Sequence, residues 1–411
     1  MTKSAAKTPH STSLLNIVPP NLPLQLLGGI TPAEFMSKYW QKKPLLIRGA
    51  IAGFKPFLSR DELFAMAEQE DVESRLIVET ISKTTSKSNK KPSAKWAMTN
   101  GPIYPDALPA LKNPNWTLLV QGVDLHNQAA YELKNQFRFA PDARLDDLMI
   151  SFATDGGGVG PHFDSYDVFL LQAEGKRRWK IGKQKDLTLQ KDVPLKILAD
   201  FTPEQEFVLE AGDMLYLPPM YAHEGVAIGE CMTYSIGFRA PAELELAREM
   251  LQRLADDTLA VEEAEDEEKA VEEVLYKDPK QTAVETPAQI PAALLDFAKQ
   301  AVEKALSDPD ALARNLGEYL TEPKANVWFD APEKDIILTH QNRVDLHPRS
   351  QMLFDARHIF LNGESWRAAG ADAKLMQRLA NQRFLEPRDL GKASDDAMLL
   401  LQDWSDVGWL L

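Results

Sequence analysis

The spacing of hydrophobic and polar positions divides this chain into three stretches. Between residues 21 and 241, short apolar runs separated by turn residues predict an all-β segment with a few short helices. From 242 to 310 apolar residues recur at helical spacing, and beyond 311 short strand and helix patterns are mixed. Residues 1–20 are rich in Ser, Thr and Pro, which predicts a disordered N-terminus.

Local signals place the elements of the first stretch. Thr31 is a good helix N-cap, with Pro32 at the first helical position and Glu34 at the third. This helix is predicted to end near Gln41, and a second short helix is expected over 61–70. The predicted strands include Leu45–Ile47, Leu118–Val123, Leu148–Ala153, Met214–Leu217 and Met232–Phe238.

A β-hairpin and a loop are also predicted in this stretch. Tyr166 to Gln172 is a β-prone apolar run, and Arg177 to Ile181 is the returning strand. Glu174 and Gly175 between them predict the turn. Residues 82–95 hold five lysines among Ser, Thr and Asn, which predicts a mobile loop, with a substrate lid as the alternative.

The second stretch is predicted to be helical and partly acidic. Residues 242–259 form one amphipathic helix, and a second is marked by Leu294, Phe297, Ala301 and Ala305. Residues 256–273 carry ten acidic side chains against one lysine. This run indicates a solvated helix face or linker, with a guide for a basic substrate as the alternative.

The third stretch predicts a small domain of helices and a hairpin. Residues 336–338 and 358–361 are expected to be short strands, Asn362-Gly363 a tight turn, and Leu375 and Leu379 part of a helix. This pattern is winged-helix-like, but no helix is densely basic, which favours protein interaction or structure over DNA binding. Its histidines are expected to be surface or packed residues and not metal ligands; they are His340, His347 and His358.

Composition narrows the class of protein. A chain of 411 residues, 44% of them hydrophobic, suggests two or three domains with a substantial core. It has no run of eighteen apolar residues and no signal-peptide pattern, so neither a membrane span nor secretion is expected. The single cysteine, Cys231, excludes an intramolecular disulfide and agrees with a reducing cytoplasm. The net charge of −15 argues against a phosphate-binding surface and fits a basic partner.

Three residues carry the pattern of a metal site. His162 and Asp164 are two positions apart, so in an extended segment their side chains project from one face. His223, expected in a loop after a short buried strand, would add a second imidazole. Two histidines and one carboxylate with open positions are typical of non-haem Fe(II) oxygenases. The preceding run 156–161 is mostly glycine, which leaves room for the close approach of a ligand.

Several motifs resemble those of the bacterial JmjC-type ribosomal oxygenases, and among them the ribosomal-protein arginine hydroxylases. These motifs are Tyr39–Ile47, Gly157–Asp164, Tyr166–Phe169, Arg177–Trp179 and Tyr234–Pro241. The resemblance extends from about residue 24 to the C-terminus. It implies an α+β fold with a double-stranded β-helix core (jelly-roll, cupin-like JmjC) over 21–241, a helical dimerisation region over 242–310 and a winged-helix-like domain over 311–411.

The resemblance also implies an activity. The chain is expected to be a cytoplasmic Fe(II)- and 2-oxoglutarate-dependent dioxygenase that uses O₂ to hydroxylate a basic residue, arginine in first place, of a large-subunit ribosomal protein. A homodimer is implied, and contact with membranes or nucleic acid is not expected. Three alternatives remain open: hydroxylation of a ribosomal histidine, a cupin-type dioxygenase or isomerase without 2-oxoglutarate, and a catalytically silent binding scaffold.

Further residues follow from the resemblance. Arg177 occupies the position of the basic residue that binds 2-oxoglutarate in the family, and a guanidinium suits bidentate capture of a carboxylate. Its neighbours in the chain should alternate outward. Related enzymes carry a serine at the position of Ala153, so Ser151, Thr154 or a water is expected to replace that hydroxyl. Candidates for substrate contact are Asp155, Tyr166, Asp167 and Glu224.

Overall fold

The computed structural model describes residues 17–81, 94–263, 274–334 and 336–411. Its helices are α1 (Pro32–Lys38), α2 (Arg60–Ala67), α3 (Gln128–Asn135), α4 (Glu243–Glu263), α5 (Ala292–Ala305), α6 (Pro309–Thr321), α7 (Gly370–Gln382), α8 (Pro387–Leu390) and α9 (Asp395–Asp406). None of these described helices is both long and apolar enough to cross a membrane.

The strands are β1 (Leu45–Ile47), β2 (Ser74–Ile81), β3 (Ala94–Asn100), β4 (Trp116–Val120), β5 (Leu145–Ala153), β6 (Val168–Gly182), β7 (Gln205–Glu210), β8 (Met214–Leu217), β9 (Ala222–Phe238), β10 (Val344–Asp345), β11 (Met352–Phe354), β12 (His358–Leu361), β13 (Glu364–Arg367) and β14 (Phe384–Leu385). The lysine-rich stretch predicted as a loop lies mostly outside the described residues, as does the acidic run beyond residue 263.

One antiparallel sheet contains the strands β1 to β9. Its order is β1-β8-β6-β9-β5-β4-β2-β3, with β7 paired to β6. The long strands change neighbours midway: β6 pairs first with β8 and then with β7, while the second half of β9 pairs with β5. The first half of β9 is hydrogen-bonded instead to residues 157–162. Strands that change partners in this way fold a sheet over into a two-layered roll.

The predicted hairpin at Glu174 and Gly175 is wrong. β6 runs through this point, and register shifts between Gln172 and Lys176 mark a β-bulge against β9. Gly175 has φ = 65°, and a Cβ on it would lie 2.2 Å from the carbonyl oxygen of Glu230. The glycine therefore serves a bulge and a close backbone approach, because long-range pairing with β9 continues the strand where local chemistry indicated a turn.

The two faces of the sheet have different surroundings. One face packs on the helices in a large core that includes Phe35, Leu63, Trp116, Phe152 and Tyr234. The opposite face encloses a smaller apolar cluster inside the roll, formed by Val168, Leu170, Trp179, Ile181, Leu209, Leu215, Leu217 and Tyr221. Polar side chains buried in the roll therefore stand out against an apolar lining.

Several of the predicted local elements are confirmed. The side chain of Thr31 accepts a hydrogen bond from the backbone N–H of Glu34, and α1 begins at Pro32. β1 has the predicted bounds, and Cys231 is a buried free thiol in β9. Helices α4 and α5 are both present, and α4 also packs against α6.

The C-terminal part combines a three-stranded sheet, β11-β12-β13, with α7, α8 and α9. Asn362 and Gly363 connect β12 to β13 with φ values of 51° and 91°, the positive angles of a tight hairpin turn. The strand predicted over 336–338 is absent from the described residues. There the side chain of Gln402 on α9 accepts from Leu338 N and donates to Ile336 O, so a side-chain amide replaces a strand partner.

Candidate metal centre and anion pocket

His162, Asp164 and His223 converge inside the roll. One candidate ligand atom from each lies within 4.8 Å of the other two, and no other such group of His, Cys, Asp or Glu occurs in the described part of the chain. His223 Nε2 is 3.6 Å from Asp164 Oδ2, and the two imidazole centroids are 4.2 Å apart. The structure thus brings together the three residues that the sequence predicted.

Backbone pairing holds the two histidines opposite each other. His162 N donates to His223 O at 2.9 Å, and His223 N donates to His162 O at 2.8 Å, an isolated antiparallel bridge. His223 is the second residue of β9, so its predicted loop position is wrong. The reason is that residues 157–162 supply a neighbouring extended segment, which continues β9 beyond the stretch that its own sequence indicated.

Each imidazole is oriented by a backbone carbonyl. His162 Nδ1 lies 2.9 Å from Gly160 O, and His223 Nδ1 lies 3.0 Å from Tyr221 O. An Nδ1–H donor in each ring leaves the Nε2 lone pair free, the arrangement usual in metal-binding histidines. Burial lowers the pKa of His223 to about 4, with a further contribution from His162, so this ring is neutral near pH 7. Neutral imidazole is the form that binds metals.

The glycine run before His162 lies close to the backbone of neighbouring strands. A Cβ at Gly157 would lie 2.4 Å from the carbonyl oxygen of Trp116, and one at Gly158 would lie 2.5 Å from that of Gly225. These glycines let the segment 156–162 lie against β4 and β9. They allow two backbone segments to lie close together. A glycine-rich sequence does not show whether a backbone or a ligand comes close to it.

Arg177 points to the same face of the sheet as His223. In the pairing of β6 with β9, Ile181 lies opposite His223 and Arg177 lies opposite Ala227, four residues along each strand. Arg177 is 4% exposed, and its Nε and Nη2 atoms have no hydrogen-bond partner among the described residues. A buried guanidinium without acceptors is unfavourable, so this pocket suits an anion.

The neighbours of Arg177 alternate outward as predicted. Lys176 pairs with Glu210 at 2.6 Å and Arg178 pairs with Glu206 at 3.3 Å, and all four side chains are largely exposed. Arg177 is therefore the inward member of three consecutive basic residues.

Ala153 offers no hydrogen-bond donor to this pocket. It is fully buried against Ala227 and Cys231. Ser151 faces the same side of β5, with its Oγ 3.4 Å from the carbonyl oxygen of Thr233. Thr154 does not, because its hydroxyl lies against the backbone of Trp116. Of the two hydroxyls that the sequence suggested as substitutes, only that of Ser151 shares a face with Ala153.

Asp167 has a structural environment. It is fully buried, accepts from the Tyr216 hydroxyl at 2.6 Å, and pairs with Arg144 at 3.2 Å. Gln41 Nε2 also donates to it at 3.2 Å. With its oxygens bound by these partners, Asp167 joins the 39–47 segment to the sheet and is not available to a substrate.

The other candidates for substrate contact are more accessible. Tyr166 is 39% exposed, and burial of its hydroxyl together with the charge of Asp164 raises its pKa. Glu224 lies 3.7 Å from Lys180, and Asp155 accepts from the backbone N–H of Gly229. Glu79 on β2 lies near Glu224, and burial together with that charge raises the pKa of Glu79. Its position on β2 depends on sheet order, which carries no local signal.

Comparison with known proteins places the chain in a family. Residues 132–246 match the profile of the JmjC domain, and residues 304–411 match that of a ROXA-like winged helix. The ribosomal protein uL16 3-hydroxylase of Escherichia coli (strain K12) is 33% identical over 303 residues, 73% of this chain and 74% of that protein. The chain belongs to the bacterial JmjC ribosomal oxygenases. The three candidate ligands and strands β5 to β9 thus lie within the JmjC domain of this ribosomal oxygenase.

Solved structures agree over nearly the whole length. The X-ray structure of E. coli YcfD has a TM-score of 0.75 and 28% identity, covering 92% of this chain and 97% of that chain. A structure of the ribosomal oxygenase YcfD in complex with cobalt and 2-oxoglutarate gives a TM-score of 0.73 over the same shares. The predicted fold class, a cupin-like JmjC core with helices and a winged-helix-like domain, is confirmed.

Proposed function

We propose that this ribosomal oxygenase hydroxylates a basic residue, arginine in first place, of a large-subunit ribosomal protein. Its reaction class, that of a 2-oxoglutarate-dependent dioxygenase using Fe(II) and O₂, follows from family membership. The observation that carries the proposal is the buried, unpartnered guanidinium of Arg177 on the face that also presents His223. This arrangement supports a 2-oxo acid bound between a metal and a cation.

The donor set fits a hard-to-borderline divalent metal. We assign His162 Nε2, His223 Nε2 and an Asp164 carboxylate oxygen as its ligands, because the three atoms converge and both Nδ1 atoms face carbonyl oxygens. Three protein ligands leave coordination positions for a 2-oxo acid and O₂. When bound, Fe(II) and 2-oxoglutarate supply an oxidant from O₂, with release of succinate and CO₂.

The anion pocket fits the second carboxylate of 2-oxoglutarate. Two N–H groups of Arg177 are free for a bidentate contact. The hydroxyl of Ser151 lies on the same face of β5 as Ala153, and we assign both residues to the wall of this pocket. A scaffold without catalysis would leave the cost of burying this unpartnered cation unexplained.

The substrate assignment rests on charge and on the family. The chain carries a net charge of −15, and Tyr166, whose side chain is hydrogen-bonded to Asp164, offers an exposed aromatic ring that suits a guanidinium. Asp155 and Glu224 are the further acidic candidates. The E. coli relative is a uL16 3-hydroxylase, and uL16 is a large-subunit protein. We propose a cytoplasmic location, where ribosomal proteins are present.

A homodimer is part of the proposal. On α4 the side chains of Leu244 and Leu251 are 83% and 58% exposed, and they lie seven residues apart on one helix face. α5 has no buried residue, with Leu295 and Val302 more than half exposed. Pairing this region across a two-fold axis would bury both copies of one apolar surface. We propose that residues 21–241 form the catalytic unit, 242–310 the dimerisation region and 311–411 the winged-helix-like domain, after an N-terminal segment 1–20.

Mass spectrometry of ribosomal proteins tests the proposal. Unmodified large-subunit proteins are incubated with the enzyme, Fe(II), O₂ and 2-oxoglutarate, and in parallel without 2-oxoglutarate. One arginine should gain a single oxygen atom only when 2-oxoglutarate is present, with equimolar succinate. Oxygen on a histidine instead would contradict the arginine assignment. No 2-oxoglutarate-dependent oxygen on any of these proteins would contradict the proposed substrate class.

A further inference from the structure

Trp179 lies between the candidate metal ligands and Arg177. It is two residues from Arg177 on β6, faces the same side, and is 5% exposed. Its ring centroid is 5.8 Å from that of His223, and the Cζ atom of Arg177 is 5.7 Å from the ring. The indole therefore forms the wall that joins the two groups on which co-substrate binding depends.

Gly225 allows the indole to take this position. Gly225 lies opposite Trp179 in the pairing of β6 with β9. A Cβ on it would lie 2.6 Å from both Cη2 and Cζ3 of the ring, far inside van der Waals contact. The ring is thus set against backbone, and a side chain at 225 would displace it.

Both Trp179 and Arg177 bury N–H groups that lack acceptors. Trp179 Nε1 is buried without a partner among the described residues, as are Nε and Nη2 of Arg177. Trp116 and Trp404 also bury unpartnered indole N–H groups, so this property alone does not distinguish Trp179. All three indoles belong to apolar clusters, but Trp179 is the one of the three whose ring lies 5.7 Å from the Cζ atom of a guanidinium, that of Arg177.

We propose that Trp179 and Arg177 bind the same distal carboxylate of 2-oxoglutarate, with the indole Nε1–H as one of the donors. This inference rests on the proposed function, which assigns that carboxylate to Arg177. A carboxylate accepts several hydrogen bonds, and those to a charged acceptor are the stronger ones. Trp179 then supplies a donor to a pocket in which Ala153 supplies none, and it is a second determinant of co-substrate affinity.

Calorimetry on the Zn(II)-loaded full-length protein measures the contribution of the indole. Trp179→Phe keeps an aromatic ring beside Arg177 and removes the donor, so the Kd for 2-oxoglutarate should rise roughly tenfold. Trp404→Phe is the matched control, since it removes an equally buried and unpartnered indole N–H from the C-terminal core. It should leave the Kd unchanged. Gly225→Ala leaves residue 179 a tryptophan but displaces its ring, so this variant should also have a raised Kd for 2-oxoglutarate.

Indole NMR gives a readout that does not depend on a variant. The chain has eight tryptophans, and adding 2-oxoglutarate should shift the Nε1–H signal of one of them downfield. That signal should be the one missing from Trp179→Phe.

Different results would exclude a role for the indole and exclude the proposed pocket. Wild-type affinity in Trp179→Phe, or an unmoved Trp179 signal at saturating 2-oxoglutarate, would overturn the role of the indole. If Arg177→Met loses binding in the same experiments, the proposed pocket still stands. Wild-type affinity in Arg177→Met would overturn the pocket itself.

Discussion

Replacing Arg177 by Met should weaken 2-oxoglutarate binding and stabilise the ligand-free protein at the same time. The side chain is 4% exposed, and two of its N–H groups have no partner among the described residues. Methionine keeps most of the buried apolar stem and removes the charge. The two effects have opposite signs because the guanidinium is unfavourable without an anion and favourable with one.

The expected magnitudes follow from these contacts. A hydrogen bond to a charged group contributes about 1.5–3 kcal/mol, so the Kd for 2-oxoglutarate should rise roughly 10- to 100-fold. Replacing a buried ion pair or triad by apolar groups of similar volume is often neutral or stabilises proteins by about 1–4 kcal/mol. For a single buried side chain we expect the low end, about 1 kcal/mol. At 2-oxoglutarate concentrations about 100 times the wild-type Kd, binding adds about 2.7 kcal/mol to the wild type. With a Kd about 30-fold higher, it adds only about 0.9 kcal/mol to the variant.

Denaturant unfolding with and without 2-oxoglutarate tests both effects, using Zn(II)-loaded protein. Without 2-oxoglutarate the Arg177→Met variant should be the more stable protein, and with it the wild type should be. The matched control is Arg178→Met, which removes an exposed guanidinium paired with Glu206 from the opposite face of the same strand. It should change neither stability nor affinity measurably. If Arg177→Met is destabilised without ligand and keeps its affinity, the guanidinium is not an unsatisfied anion site, and the reasoning is refuted.

Three further predictions concern the metal, the assembly and acid stability. Asp164→Ala removes one of the three converging ligand atoms and should abolish metal-dependent 2-oxoglutarate turnover with an unchanged circular dichroism spectrum; wild-type turnover would defeat the assignment. Leu244→Glu with Leu251→Glu should yield monomers in light scattering, and a wild-type mass of 46.0 kDa would contradict the dimer. Burial and two nearby arginines lower the pKa of His347 to about 4, and its Nδ1 accepts from Arg349 N. The contribution of the neutral His347 ring to the free energy of unfolding is therefore fully present above pH 6.5 and is lost as the pH falls towards 4. The loss should be about 1–2 kcal/mol after allowance for solvent exposure. His347→Asn should flatten that part of the stability profile, and an unchanged profile would count against it.

The choice of leucines to substitute in the dimer test depends on the tertiary structure. In the sequence of α4, Leu244, Leu251 and Leu254 recur at helical spacing, which predicts that they share one apolar face. Leu254 is 8% exposed within the single chain, whereas the other two are more than half exposed. A charge at Leu254 would disturb the fold of the protomer, so only the two exposed leucines test the interface. Periodicity identifies a face, but packing decides which of its residues are already covered.

The sequence by itself determined the features that depend on near neighbours. The two-residue spacing of His162 and Asp164, the cap at Thr31 and the Asn362-Gly363 turn each follow from chemistry within a few residues. The outward alternation on either side of Arg177 follows from the two-residue period of a strand.

The tertiary structure alone decided what depends on distant partners. β9 continues through His223, and β6 continues through Gly175, because other strands satisfy their backbone groups there. In the same way, the burial of Arg177 without an acceptor depends on the side chains that pack around it, Trp179 among them. Hydrogen bonding across a sheet joins residues far apart in the chain, so no local pattern can specify where a strand ends or which buried donor stays unpaired.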